Sequence, residues 1–151
     1  MRLAFDTSVL VALLVEPHPS HARTLPWFEA IHEGRATGEC TVHALAETWS
    51  VLTRLPIEPT ISPPMAVVAL EDLASMLKVV EVGADGYWRA MGRCSERNLR
   101  SGALFDALHL ISAEQTGAEA FVTFNPGDFH RLTNGDLPEI VVPPSPPAFI
   151  G

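Results

Sequence analysis

The chain has 151 residues, which suits one domain with a core of useful size. Hydrophobic residues make up 47% and charged residues 19%, a balance that excludes an intrinsically disordered chain. A formal net charge of −8 excludes broad, nonspecific nucleic-acid binding, yet it leaves room for a metal-dependent nuclease, whose centre needs carboxylates.

Arg2 to Asp6 reads as a strand and Thr7 to Val15 as a helix that Asp6, Thr7 or Ser8 can cap. The run Val9 to Val15 is too short to span a bilayer, and Asp6 interrupts the stretch where a signal peptide needs an uncharged segment. The expected location is therefore cytoplasmic, with Cys40 and Cys94 as free thiols packed like small apolar groups. Ser20 to Glu33 predicts a second helix, irregular at Pro26 and ended by Gly34; Glu39 to Thr41 is a weak strand. Val42 to Leu55 is amphipathic, with Val42, Leu45, Trp49 and Leu52 on one stripe. Residues 56–64 form a loop, and Ser62, Pro63 and Pro64 open a helix to about Leu77.

Lys78 to Val82 is a β-branched strand and Ala84 to Leu99 a helix. A glycine-containing turn at 100–103 leads into a strongly apolar helix, Leu104 to Thr116, which Gly117 stops. Glu119 to Thr123 and Ile140 to Val142 complete the strands. Residues 1–143 are expected to form the domain and 144–151 a Pro-rich, extended tail. Strands alternating with helices imply an α/β fold with a mostly parallel sheet, whose ligands sit at the carboxyl ends of the strands.

Six aspartates occur in the chain, and three of them, Asp6, Asp106 and Asp128, fall near strand ends or helix starts. Asp6 serves either as a helix cap, worth about 1 kcal/mol, or as a chemical group, since Thr7 and Ser8 can cap in its place. Asp106 lies in ALFDALHLI, a helix apolar on most sides. A carboxylate there needs a cation, either an arginine or a metal, or it neutralises. Asp128 and Asn125 lie in TFNPGDF, where every polar residue suits a loop turn, although both can reach a site at the strand end. Glu47 faces away from the apolar stripe with His43, Ser50 and Arg54. Periodicity assigns it to solvent or to Arg54 unless that polar face looks into a cleft. The six histidines show no metal-ligand spacing, and His109 reads as a packed or hydrogen-bonding residue. Arg89, Arg93 and Arg97 recur at four-residue steps on one face, either a solvated cationic surface or a strip for an RNA backbone.

Taken in order, FDTSVL, HALAETWSVLTR and SGALFDALHLISAEQTGAEAFVTFNPGDF resemble the PIN-domain nucleases, most of all the VapC-type toxins of bacterial toxin–antitoxin pairs. The resemblance spans essentially the full length, and the third block is its specific part. It implies a three-layer α/β/α domain and a Mg²⁺-dependent endoribonuclease (Mn²⁺ can substitute). It also implies a homodimer and a cognate antitoxin. Carried over, it makes Asp6, Glu47 and Asp106 the core acidic ligands and leaves the fourth position to Asp128 or Asn125, with Asp128 favoured as the acid and Asn125 in support. Apart from the resemblance, Thr7 and Ser8 can orient water or touch phosphate, unless they cap. Hard oxygen ligands of this kind suit Mg²⁺ or Mn²⁺. A haloacid-dehalogenase-type phosphatase wants a second Asp where Ser8 stands, and a receiver domain wants paired early acids and a late lysine that Lys78 does not supply. A housekeeping RNA-processing nuclease of the same fold and a non-enzymatic partner-binding module remain as rivals.

Overall fold

The computed structural model describes residues 1–144. The remainder of the Pro-rich tail, expected to be extended, lies outside the described residues. Five strands form one sheet, all parallel, in the order β3-β2-β1-β4-β5. They are β1 (Arg2–Phe5), β2 (Thr37–Thr41), β3 (Lys78–Val80), β4 (Ala120–Val122) and β5 (Glu139–Val141). Between them run α1 (Thr7–Leu14), α2 (His21–His32), α3 (Val42–Leu52), α4 (Pro63–Met76), α5 (Ala84–Glu96), α6 (Ala103–Thr116) and α7 (Pro126–His130).

Strand alternation creates the layers. Leu3 and Phe5 of β1 and Ala120 and Val122 of β4 pack with Val9, Trp27 and Phe28 on one side of the sheet. Ala4 and Phe121, one position out of phase, pack with Leu108, Ile111 and Phe129 on the other. The result bears out both the parallel α/β sheet that the alternation of elements predicts and the three-layer α/β/α arrangement that the resemblance implies. Cys40 and Cys94 are free and buried, and burial pushes the Cys40 thiol up to about 12.

Three expectations change on contact with the structure. β2 is longer than expected and begins at Thr37. Its Gly38 lies where a Cβ would stand 2.6 Å from both Ile31 Cδ1 and Leu77 Cδ2, so a residue that weakens a strand is needed for close packing. The loop at Pro126 to His130 is a one-turn helix, α7, opened by Pro126 at its first position. In α3 the buried residues are Ala44, Thr48 and Leu52, whereas Val42 and Trp49 are exposed. Leu52 and, in part, Leu45 keep the inward places the stripe gave them, and the small Ala44 and polar Thr48 join them in a helix that packs against α1; Thr48 satisfies its hydroxyl on the Ala44 carbonyl at 2.7 Å.

Candidate active site

β1 has β2 on one side and β4 on the other, so the strand order reverses at β1. A crevice opens at the carboxyl ends of strands at such a point. Asp6 sits at the end of β1 and its backbone N–H donates to the Val122 carbonyl of β4 at 3.0 Å. Asp6 occupies the cap position of α1, yet its side chain caps nothing. Its Oδ2 instead accepts from Ser8 Oγ at 2.7 Å and from Thr123 Oγ1 at 2.8 Å. The Ser8 hydroxyl also accepts from the Phe124 N–H at 3.1 Å, and Thr123 Oγ1 accepts from the Asn125 N–H at 2.9 Å. Two hydroxyls thus pin the buried Asp6 carboxylate and the start of the segment that carries Asn125 and Asp128. Thr7 and Ser8 spend their hydroxyls on acids rather than on capping.

Asp106 lies in the first turn of α6. Its carboxyl is pushed up to about 6, first by burial and then by the charges of Asp6, Asp128 and Glu47. Those four acids, remote in sequence, therefore share one electrostatic site. The nearest cation, Arg131 Nη2, is 3.9 Å from Asp106 Oδ2 and 4.0 Å from Asp128 Oδ1. At that range it is an exposed charge partner and not a hydrogen-bond donor. Asp128 itself is exposed on α7.

Glu47 turns inward, away from Arg54, whose Nη1 lies 3.4 Å from Ser50 Oγ instead. Glu47 Oε2 accepts from Thr7 Oγ1 at 3.0 Å. Its Oε1 lies 2.7 Å from His43 Nε2 and 3.1 Å from His109 Nε2. Because a carboxylate only accepts, Nε2 of His109 is the donor, and Nδ1 of the same ring lies 2.8 Å from Thr41 Oγ1. Burial raises the Glu47 carboxyl, but the His109 hydrogen bond and charge, the Thr7 hydroxyl and His43 outweigh it, so the group lies below its ordinary value.

Each of the three arginines of the expected strip has a partner within the chain. Arg93 is a bidentate partner of Glu114, at 2.7 and 2.8 Å, and its side chain is only 14% exposed. Arg89 pairs with Asp85 at 3.2 Å, and Arg97 Nη1 donates to the Arg131 carbonyl at 3.0 Å. Four-residue spacing put them on one face, but α5 packs that face partly against α6, and Arg93 is spent there. Thr123, Arg131 and the Thr41–His109 pair are the site residues that the sequence reading missed or left unassigned. For Thr123 a signal exists: it follows β4 as Asp6 follows β1, and parallel neighbours in register bring such positions together.

The donors fit a hard divalent cation in kind. All are oxygens, and among the described residues Oδ1 of Asp6 and both oxygens of Asp106 accept no hydrogen bond. No three His, Cys, Asp or Glu side chains among the described residues are already grouped to hold an ion as they stand. Mg²⁺ does not require such a cage, since it keeps several waters and binds through one or two carboxylates and substrate phosphate.

Known proteins match this chain along most of its length. The PIN domain family matches residues 3–134. Ribonuclease VapC27 of Mycobacterium tuberculosis is 37% identical over 118 residues, which are 78% of this chain and 80% of that protein. Ribonuclease VapC40 of the same species is 33% identical over 117 residues, 78% of this chain and 82% of that one. In structure, VapBC2 from Rickettsia felis, bound to a DNA fragment from its promoter, superposes with a TM-score of 0.67 at 18% identity, covering 94% of this chain and 98% of that one. Mycobacterium tuberculosis VapC20, a Sarcin-Ricin loop cleaving toxin, gives 0.63 at 21%, covering 79% and 86%. By family match and by identity to these ribonucleases, the chain belongs to the PIN-domain family and is of the VapC type.

Proposed function

We propose that this protein is the toxin of a type II toxin–antitoxin pair, a Mg²⁺-dependent endoribonuclease that also accepts Mn²⁺. It hydrolyses RNA phosphodiester bonds by in-line attack of water. The observation that carries the reading is the arrangement of four acids brought together from distant parts of the chain: Asp6 pinned by Ser8 and Thr123 at the end of β1, Glu47 held by Thr7 of α1, and Asp106 and Asp128 at 3.9 and 4.0 Å from the same Arg131 guanidinium. Burial first, and then the neighbouring acids, push the Asp106 carboxyl up to about 6, a cost that is tolerated where a cation is the intended guest.

Asp6 and Asp106 would hold the cation, since they keep oxygens that no protein donor occupies. Glu47, Asp128 and Asn125 would support it. When bound, the ion supplies Lewis-acid polarisation of the phosphate and lowers the pKa of a nearby water. Ser8 and Thr123 hold Asp6 in one rotamer, and His43, His109 and Thr7 do the same for Glu47. Arg131 screens Asp106 and Asp128 and stands ready to meet a phosphate. With Arg93 committed to Glu114, the cationic contacts to RNA fall to Arg131 and to Arg100, which is exposed just before α6; Arg89 and Arg97 contribute at the margin.

VapBC assemblies among the structural neighbours support a cognate antitoxin for this chain as well. We place the protein in the cytoplasm; no helix among the described residues is long and apolar enough to cross a membrane. A homodimer is supported by the exposed Met65, Val67 and Val68 of α4. α1, by contrast, buries Val9 to Ala12 in the core. The test is RNA cleavage by the wild type with Mg²⁺, with a chelator, and by Asp6→Asn and Asp106→Asn. Cleavage should need the ion and vanish in both variants; cleavage that survives chelation or either substitution overturns the mechanism.

A further inference from the structure

Two clefts flank the acidic centre, and Glu47 joins them. Thr7, which donates to Glu47 Oε2, lines a cleft of about 380 Å³ with Ser8, His18 and Asn125. His43, which meets Glu47 Oε1, lines a second cleft of about 340 Å³ with Val42, Ala46, Glu81, Val82 and Tyr87. Apart from His43, the mechanism above uses nothing in this second cleft. The His43 ring lies nearly flat against Phe105, with centroids 4.8 Å apart and planes 12° apart, and Phe105 directly precedes Asp106. Tyr87 is exposed in the first turn of α5. Glu81 is exposed at the cleft wall, and its carboxylate has no hydrogen-bond or ion-pair partner among the described residues.

We propose that the His43–Tyr87–Glu81 cleft is a nucleobase subsite that holds one unstacked base of single-stranded RNA beside the scissile phosphate and prefers guanine. The inference rests on the ribonuclease reading of the neighbouring acids. Three observations converge on it. The volume falls among small-ligand sites. Aromatic rings line or border the cleft, and single-stranded RNA is recognised by stacking splayed bases on such rings and reading their edges. Glu81 is a pure acceptor. Guanine offers the adjacent N1–H and N2–H₂ donors to its two oxygens, while cytosine and adenine offer only an amino group. Uracil presents N3–H between two carbonyl oxygens that a carboxylate repels. Position adds the last argument: a base seated against His43 is one side chain away from Glu47, so its own phosphate falls at the acids.

The probes are oligouridines carrying a single central G, C, A or U, labelled with fluorescein. Binding is read by anisotropy with Mg²⁺ in full-length Asp106→Asn protein, which is expected not to cut them. The G probe should bind tightest and the all-U probe weakest. Adding Tyr87→Ala should weaken every probe by roughly ten-fold. Adding Glu81→Gln should remove the advantage of G, weakening the G probe and leaving the all-U probe no weaker than before. Both side chains are exposed, and unchanged circular dichroism melts confirm that the fold is kept. Equal binding of all four probes, no binding of any, or base preferences untouched by both substitutions overturns the subsite. So does a Glu81→Gln protein that loses affinity for an oligoarginine peptide but for no RNA, which would make the cleft a protein-docking site. Failure of the nuclease reading would look different: the wild type would cut no RNA with Mg²⁺, whatever the probes bind.

Discussion

Asp106→Asn should make the protein more stable and inactive at once. The ordinary carboxyl value is 3.8 and the folded protein raises it to about 6, so the folded state binds the proton more tightly than the unfolded chain does. Stability from this group is therefore complete below about pH 4 and is lost as pH rises through about 6. Above pH 6 the ionised group costs at most about 3 kcal/mol. Water reaches this half-buried side chain and screens it, and Arg131 offsets part of the repulsion, so about 1 kcal/mol is the expected net. The isosteric amide removes that cost. Thermal melts with a chelator present should place Asp106→Asn about 3 °C above the wild type at pH 7.5, with the gap closing by pH 4. Saturating Mg²⁺ should then raise the wild type and leave the variant where it was, because only the folded wild type binds the ion well. A variant that melts below the wild type at pH 7.5, or a gap that does not change with pH, refutes the electrostatic account of the site.

Arg93→Ala should cost about 2 kcal/mol of stability by stranding the half-buried Glu114, yet leave the salt dependence of RNA binding unchanged; a flattened salt slope would return Arg93 to the RNA surface. Thr123→Val removes the hydroxyl shared by Asp6 and the Asn125 N–H, and should lower cleavage by roughly 10- to 100-fold while the far-ultraviolet dichroism stays native. Gly38→Ala drives a methyl into the ends of Ile31 and Leu77 and should lower the urea midpoint by the equivalent of about 1 kcal/mol, with the m value unaltered.

What the sequence disclosed and what it hid divide along physical lines. Asp6 and Asp106 were legible because a carboxylate at a strand end, or on a helix apolar nearly all round, contradicts its surroundings and demands a reason. Glu47 was obscured because large apolar side chains were taken to mark the buried face of α3. The helix in fact buries Ala44 and Thr48, which carry little hydrophobic signal, and Glu47 turns toward α1 and α6. The arginine spacing on α5 was real, but period cannot show that Glu114 of another helix waits opposite Arg93. Asn125 to Asp128 has the composition of a turn, and only Pro126 hinted at the start of α7.

The central position of β1 also has a bearing on how the chain comes off the ribosome. Its β2 flank can be covered early, by nearby segments, but its β4 flank stays open until Ala120 to Val122 emerge, and Arg2 to Phe5 must wait with a row of unpaired peptide groups. Thr123, Asn125 and Asp128 arrive with or just after that closing strand, so a nascent or truncated chain has neither a sealed sheet nor a finished centre. Synthesis itself thus delays any harm the protein can do until β4 and α7 have been made.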